Sequence, residues 1–259
     1  MRWSRDELLI VLNLYHKLPF GKVSSRQPVI IDLAKKMGRT PASISMKLGN
    51  LASFDPAHQS RGVRGLTGAS ELDRTVWDEF HANPAEMAPL SQQRFDALFV
   101  EPDSETTEVI PGVGVRARCL PPAETEAVAS SKRRRGQDFF REIVLNNYGN
   151  CCALTGLPVR DLLVASHILP WAGHERERLN VRNGICLNRL HDAAFDRGLI
   201  GFDDDLRLIL SRSLVVRFGV ESVDRNFAEF EKRSLVLPED GFPPEAGFLA
   251  AHRRKFSLS

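Results

Sequence analysis

The chain has 259 residues and a net charge of +2, and its 42% hydrophobic and 26% charged residues are typical of a globular protein with room for two domains. No apolar run approaches the roughly 18 residues that a membrane helix needs, and the charges at Arg2, Arg5, Asp6 and Glu7 argue against a signal peptide. None of the four cysteines belongs to a Cys-x-x-Cys pair, which argues against a structural zinc ribbon and favours a reducing, cytoplasmic compartment.

The charge is strongly segregated along the chain. Residues 1–64 contain eleven Lys or Arg against four Asp or Glu, a net charge of +7, and residues 65–130 contain four against twelve, a net charge of −8. A segment as basic as the first is a candidate surface for a polyanion such as DNA. The alternative is a solvated helix face that happens to be basic.

The first three predicted helices form a helix-turn-helix pattern. Ser4 and Glu7 have the spacing of a capping box, so a helix begins there and runs to the break at Pro19. A second helix over 28–37 ends at Gly38, and a third begins at Pro41. In such a pair the second helix enters the major groove, although a plain three-helix bundle has the same periodicity. The polar residues available for DNA contact are Arg39, Ser43, Lys47 and Asn50, with Arg61 and Arg64 in the basic loop that follows.

The middle of the chain is less regular. Residues 72–80 and 91–100 have helical periodicity, whereas 101–131 are rich in proline and acidic residues and predict an exposed linker, with a short strand near 113–117. The basic run 132–135 follows directly. Its Arg133 and Arg134 are candidate phosphate contacts, and the alternative is a solvated run at a helix start.

The C-terminal half predicts an order of strand, long loop, strand and helix. An amphipathic helix over 137–148 comes first. The apolar run 162–165 then leads to His167, a second strand covers 184–187, and a short helix covers 190–195. A hairpin near 201–210 and a final helix over 248–256 complete the prediction.

Two histidines and an asparagine in this half suit phosphodiester hydrolysis. The reaction needs a base that deprotonates water near neutral pH and a cation that neutralises the charge developing on the phosphate. We expect His167 to be the base, Asn183 to brace the loop, and His191 to hold a divalent metal. A lone histidine is more often a surface or packing residue, and we interpret the other five in that way: His16, His58, His81, His174 and His252.

Residues 139–211 resemble the HNH endonucleases. The resemblance covers Cys152–Leu157, Ala165–Trp171, Arg178, Asn183–Leu187, His191 and Phe195–Ile200. It implies a ββα-metal fold with His167 as general base, Asn183 as a structural residue and His191 as a metal ligand. Many members have Asp, Glu or His just before the base as a metal ligand, but this chain has Ser166, a poor ligand. Asp192 and Asp196 are further candidate ligands, and the alternative for Asp196 is to hold the turn that follows it. The expected ion is Mg²⁺ or Mn²⁺, with Zn²⁺ or Ni²⁺ as alternatives.

The predicted fold class is therefore α+β, with a mostly helical, helix-turn-helix-like DNA-recognition domain over 1–100, a linker over 101–131 and an HNH nuclease domain over 132–259. This layout is similar to that of bacterial restriction enzymes that cut modified DNA. We expect DNA as the partner and a homodimer, since one site cuts one strand. The alternatives are a non-catalytic DNA-binding regulator with a degenerate HNH module and a toxin or antiphage nuclease triggered by a partner.

Overall fold

A computed structural model describes residues 2–62, 66, 68–99, 106–118, 128–237 and 240–258, without the side chains of 20, 106, 117, 118 and 128–134. The chain forms two compact units, Met1–Asn146 and Asn147–Ser259. Almost all of the helix predicted over 137–148 thus belongs to the first unit. The predicted domain limits at residues 100 and 132 remain a prediction. Within the described ranges, no helix combines the length and the apolar character needed to cross a membrane.

The described part of the first unit is helical with one hairpin. Its elements are α1 (Arg5–Lys17), α2 (Pro28–Lys36), α3 (Pro41–Ala52), α4 (Pro56–Ser60), α5 (Glu71–Ala82), α6 (Pro84–Phe99), β1 (Thr106–Ile110), β2 (Gly114–Arg118) and α7 (Val128–Asn147).

Helix α1 is the centre of this unit. The predicted capping box is confirmed, since Ser4 accepts from the Glu7 amide and Glu7 accepts from the Ser4 amide. Every residue from Leu8 to Tyr15 is buried, and α1 packs against α3, α5 and α6. A helix buried on nearly all faces needs apolar residues all round, which explains the dense apolar run of this segment.

The predicted pair of helices around Gly38 is present as α2 and α3. Gly38 has a φ of 64°, a conformation that suits glycine, and Thr40 caps α3 through the Ser43 amide.

Three of the predicted DNA contacts in this pair have partners within the unit, and their role in DNA binding remains a prediction. The Lys47 Nζ lies 2.9 Å from both carboxylate oxygens of Asp73 in a buried ion pair. Arg39 donates to both carboxylate oxygens of Glu7, and Asn50 donates to the Gly68 carbonyl. A polar group in the apolar interior needs such a partner, so amphipathic spacing alone could not show which polar residues face outward.

The other predicted DNA contacts differ in their placement. Ser43 is half-buried and Arg61 is exposed. Arg64 lies outside the described residues, as do the side chains of Arg133 and Arg134, although the backbone of the latter two belongs to α7.

The segment predicted as a linker contains a hairpin. Strand β1 pairs antiparallel with β2. Strand β2 corresponds to the short strand that was expected near 113–117. The Asp32 carboxylate of α2 accepts from the Val115 amide, and β2 packs against α2. Thr107 and Val109 are buried, and this alternation is too short to stand out in so acidic a segment.

The second unit contains small antiparallel strand pairs and short helices, which confirms the α+β class. Its described elements are β3 (Leu163–His167), β4 (Gly184–Asn188), α8 (Arg189–Asp196), β5 (Ile200–Phe202), β6 (Leu208–Leu210), α9 (Arg212–Val215), α10 (Glu221–Asn226) and α11 (Ala246–Phe256). The predicted order of strand, long loop, strand and helix is therefore present as β3, β4 and α8, and α8 packs against both strands.

Candidate active site

Strand pairing places His167 at one end of the β3–β4 ribbon. His167 lies opposite Gly184 in the antiparallel register, and the Ile168 amide donates to the Asn183 carbonyl just beyond that pair. The loop over 168–182 therefore leaves and re-enters the ribbon at neighbouring points. The side chain of His167 lies where the regular ladder ends and the loop begins.

Asn183 ties the two sides of this loop together. Its Oδ1 accepts from the Leu169 amide at 2.8 Å, and its Nδ2 donates to the carbonyls of Leu169 and Glu177. The side chain is almost wholly buried, so each of these groups would be costly to leave unpaired. A side-chain amide combines an acceptor oxygen with two N–H donors, which matches the three bonds made here and gives a physical reason for asparagine.

The hydrogen bond of His167 fixes the form of its imidazole. The Nε2 atom lies 3.0 Å from the Arg178 carbonyl oxygen, and a carbonyl can only accept, so Nε2 carries the proton. Nδ1 of the neutral ring then has the lone pair that a base needs. Burial lowers the pKa of His167 below its usual value, while the Arg178 carbonyl and the charge of Asp196 oppose that shift.

Arg178 also holds the loop against the ring of Trp171. Its Nε donates to the Trp171 carbonyl, and its guanidinium lies 5.4 Å from the centre of the indole. The Trp171 ring contacts His167 edge-on at 5.5 Å. The loop thus restrains the imidazole from two sides.

A cavity of about 320 Å³ opens beside His167. It is lined by Ser166 and His167 from β3, by Asp192 and Asp196 from α8, and by Lys255 from α11. Asp192 and Asp196 are four residues apart, so they lie one above the other on the same face of α8. The ββα arrangement therefore brings a neutral imidazole and two carboxylates into one cavity.

His191 is not among the residues that line this cavity. It is almost wholly buried on the inward face of α8. Its Nε2 lies 2.7 Å from the Asn226 carbonyl oxygen, and its ring contacts Phe227 and Phe230. Successive residues of a helix point about 100° apart, so His191 and Asp192 cannot share one face. The structure thus brings His167 and Asp192 together and leaves His191 in the core.

His191 also contacts a buried thiol. Burial raises the pKa of Cys152, but hydrogen bonds from His191 and Thr155 outweigh it and bring that pKa to about 7. Cys151, Cys152 and Cys186 form no disulfide with one another.

Ser166 and Asp192 are neighbours in the cavity. Burial raises the pKa of the Asp192 carboxyl, the Ser166 hydroxyl opposes that shift, and the charge of Asp196 adds to it. A carboxyl whose pKa is raised by a neighbouring carboxylate in this way marks a place where a cation is favoured.

The two carboxylates fit a magnesium-like ion. Within the described ranges, no group of three or more His, Cys, Asp or Glu side chains could hold a metal. Mg²⁺ keeps several waters and is usually bound through one or two carboxylates together with phosphate oxygens of the substrate. Asp192 and Asp196 meet that requirement, whereas a zinc site with four protein ligands would not be satisfied here.

Sequence reasoning gave little weight to Asp196 and assigned no role in the site to Lys255. Asp196 is four residues after Asp192, and that spacing was the available signal. Lys255 had no local signal, because it lies 59 residues after Asp196 and reaches the cavity through tertiary packing alone.

The comparisons with known proteins agree with this geometry. Residues 152–203 match the family model described as HNH endonuclease, and that range includes β3, β4 and α8. No curated protein matches the chain significantly. HNH nucleases typically use divalent metal ions. The stretch 152–203, which supplies the imidazole and both carboxylates of the cavity, is therefore the part of the chain that is similar to the HNH endonucleases.

Proposed function

We propose that the protein is a metal-dependent DNA endonuclease whose site is the cavity beside His167. The observation that supports this most directly is the meeting of a neutral imidazole with two carboxylates in one cavity of the HNH domain. DNA hydrolysis by this site would cut one strand at a time.

In this proposal His167 is the general base. Its Nδ1 takes a proton from water as the oxygen attacks phosphorus, and the Nε2–H that donates to the Arg178 carbonyl stabilises the imidazolium that forms. A lowered pKa favours this role, because a histidine that is neutral at pH 7 is ready to accept a proton. Asn183 and Trp171 position the ring rather than react.

Asp192 and Asp196 hold the divalent ion in this proposal, and Ser166 lines the cavity beside them. When bound, the ion supplies Lewis-acid stabilisation of the charge on the phosphate and the leaving oxygen. The proposed ion is Mg²⁺ or Mn²⁺, because both prefer carboxylate and water ligands. In this proposal His191 packs α8 against the core and does not contact the ion.

We further propose that the first unit recognises DNA in a restriction-type role, reading modified bases. The basic composition of residues 1–64 supports this. Since Lys47 and Arg39 are bonded internally, the phosphate contacts would come from exposed cations such as Lys35 and Lys36.

A plasmid assay tests the nuclease. Supercoiled DNA with Mg²⁺ or Mn²⁺ is expected to give the nicked form, and EDTA is expected to abolish it. His167→Ala should reduce the rate by about 10²-fold or more, the usual contribution of a general base. Asp192→Asn and Asp196→Asn should each do the same.

His174→Ala is the matched control for that assay, because His174 is an exposed histidine of the same loop and is not part of the cavity lining. It should retain wild-type activity. Full activity in His167→Ala would refute the assignment of the base. Testing plain, methylated and hydroxymethylated phage DNA side by side would test the recognition of modified bases.

One observation favours a second candidate, a DNA-binding regulator with a degenerate HNH module. Ser166 occupies the position where a stronger ligand would complete the site, and the carboxylate pair is the whole acidic contribution to the described lining. This candidate predicts DNA binding without nicking under every divalent ion tried.

A further inference from the structure

The last turn of α11 lines the nuclease cavity, although α11 lies well beyond the matched range 152–203. His252, Lys255 and Phe256 belong to the lining. The site described above is therefore completed by a helix that the family model does not include.

Helix α11 is fixed against α8 by two ring contacts. The His252 ring stacks on Phe195 of α8 with centroids 3.8 Å apart and planes 1° apart, and its Nε2 lies 3.0 Å from the Phe195 carbonyl. Phe256 occupies the space above Gly198, where a Cβ would overlap its ring. These contacts set the position of residue 255 relative to Asp192 and Asp196.

Lys255 is an exposed cation of this turn. Its ammonium lies 4.7 Å from the centre of the Phe256 ring, and within the described part of the chain no ion pair joins it to a carboxylate. The neighbouring Arg253 is bonded elsewhere, to Asp204 and the Phe202 carbonyl. Arg254 is exposed and does not belong to the lining.

Charge balance shows what Lys255 could do. A divalent ion neutralises the two carboxylates of the cavity, so the single charge of a phosphodiester would remain uncompensated. A lysine is a compact cation with three donors and suits a non-bridging phosphate oxygen.

We propose that Lys255 binds a phosphate of the DNA backbone in the cavity and positions the strand for His167. This inference rests on the proposed nuclease function. It assigns to α11 a role in substrate binding as well as in packing.

Binding of DNA tests the proposal without the need for cleavage. The His167→Ala protein, a labelled 20-base-pair duplex and Mg²⁺ would be studied by fluorescence anisotropy between 50 and 200 mM KCl. Each phosphate contact contributes about 0.9 to the slope of log affinity against log salt. Adding Lys255→Gln should lower that slope by about 0.9, and Lys255→Arg should restore it.

Arg254→Gln is the matched control, since it removes the same charge from the adjacent residue outside the cavity. It should leave the slope within error of the parent. In the otherwise wild-type protein, Lys255→Gln should raise the KM for duplex nicking about tenfold, in line with loss of a charged hydrogen bond.

The outcomes separate the two proposals. Equal slopes for Lys255→Gln and Arg254→Gln would overturn the role of Lys255, whether or not the protein nicks DNA. A slope difference in a protein that never nicks DNA would support the phosphate contact and overturn the nuclease. Absence of DNA binding by every variant would overturn both.

Discussion

Individual cations in the first unit show why net charge overstates a DNA-binding surface. Lys17 is fully buried and lies 2.8 Å from Glu142, and Lys47 pairs with Asp73. Arg39 is held by Glu7 and lies over the ring of Trp3. These three cations, which belong to the eleven counted in residues 1–64, therefore help to hold the unit together.

The Lys47–Asp73 pair gives the first prediction. Lys47→Met should lower the free energy of unfolding by about 3–5 kcal/mol, because Asp73 would remain buried without a compensating charge. Urea denaturation measures this. Adding Asp73→Asn should recover much of the loss, and Lys35→Met, at an exposed lysine of α2, should change stability by less than about 0.5 kcal/mol.

The same variants test the DNA contact first expected of Lys47. The folded Lys47→Met/Asp73→Asn protein should keep the wild-type salt slope of DNA binding. A slope lowered by about 0.9 would show that Lys47 leaves Asp73 to reach a phosphate.

His16 gives a pH-dependent prediction. Burial and the neighbouring His81 lower the pKa of His16 to about 3, while the unfolded chain binds a proton near pH 6.5. The unfolded state thus holds more protons in between, so stability is full above pH 6.5 and falls as the pH decreases. The loss should approach about 1.4 kcal/mol per pH unit below pH 6.

The ring of His16 stacks on Phe80 at 4.9 Å, so His16→Phe is the variant that keeps the packing. Thermal unfolding between pH 7 and pH 5 should show a shallower decline for His16→Phe than for the wild type. Some decline should remain, because burial also lowers the pKa of His81. Identical slopes would contradict the assignment.

Among the elements, helix α8 decides the composition of the site. The face of α8 that packs into the core contains His191, Ala194 and Phe195. The adjacent face presents Asp192 and Asp196 to the cavity. The helix is held by the cap at Asn188, which accepts from the His191 amide, and by α11 packed at its C-terminal end. The orientation of two carboxylates thus depends on residues that do not line the cavity.

Gly198 gives the prediction for this element. It has a φ of 66°, and Phe256 of α11 occupies the space where its side chain would be. Gly198→Ala should therefore lower stability by about 2 kcal/mol or more, from backbone strain and displacement of the ring. It should also lower nicking activity, because α11 would move with Phe256.

Gly247→Ala is the control for Gly198→Ala. Gly247 lies in α11, and a Cβ there would meet nothing within 4 Å. Alanine should raise stability by about 0.5–1 kcal/mol, as expected for a glycine in a helix. Thermal unfolding of both variants measures the difference, and a neutral Gly198→Ala would show that α11 tolerates displacement.

For the whole molecule, the single matched HNH stretch has a consequence for the products of the proposed nuclease. Cutting a duplex takes two sites, so a single chain should release nicked circles before linear DNA, and a homodimer should linearise plasmid in one encounter. We expect the linear product to rise more steeply than the nicked product as protein concentration increases. Gel analysis with sedimentation of the free protein measures this, and a linear dependence for both products would contradict the dimer.

Several features followed from local pattern and were confirmed by the structure. The capping box at Ser4, the glycine turn at residue 38 and the order of β3, β4 and α8 depend on interactions between residues close in the chain. The position of His167 at a strand end belongs to the same group. The hairpin β1–β2 was missed in part, because the short alternation of buried residues in β1 does not stand out in so acidic a segment.

Sequence alone identified an HNH-like segment, which the family match confirms, and it predicted a base and a bracing asparagine within it, because their spacing along the chain is short and their chemistry is specific. Tertiary packing decided which side of α8 faces the cavity, which cations are buried in ion pairs, and that Lys255 from a distant helix joins the site. The physical reason is that local spacing fixes a residue's place on its own helix or strand. The direction in which that helix or strand faces is fixed by burial of apolar surface against partners remote in the chain.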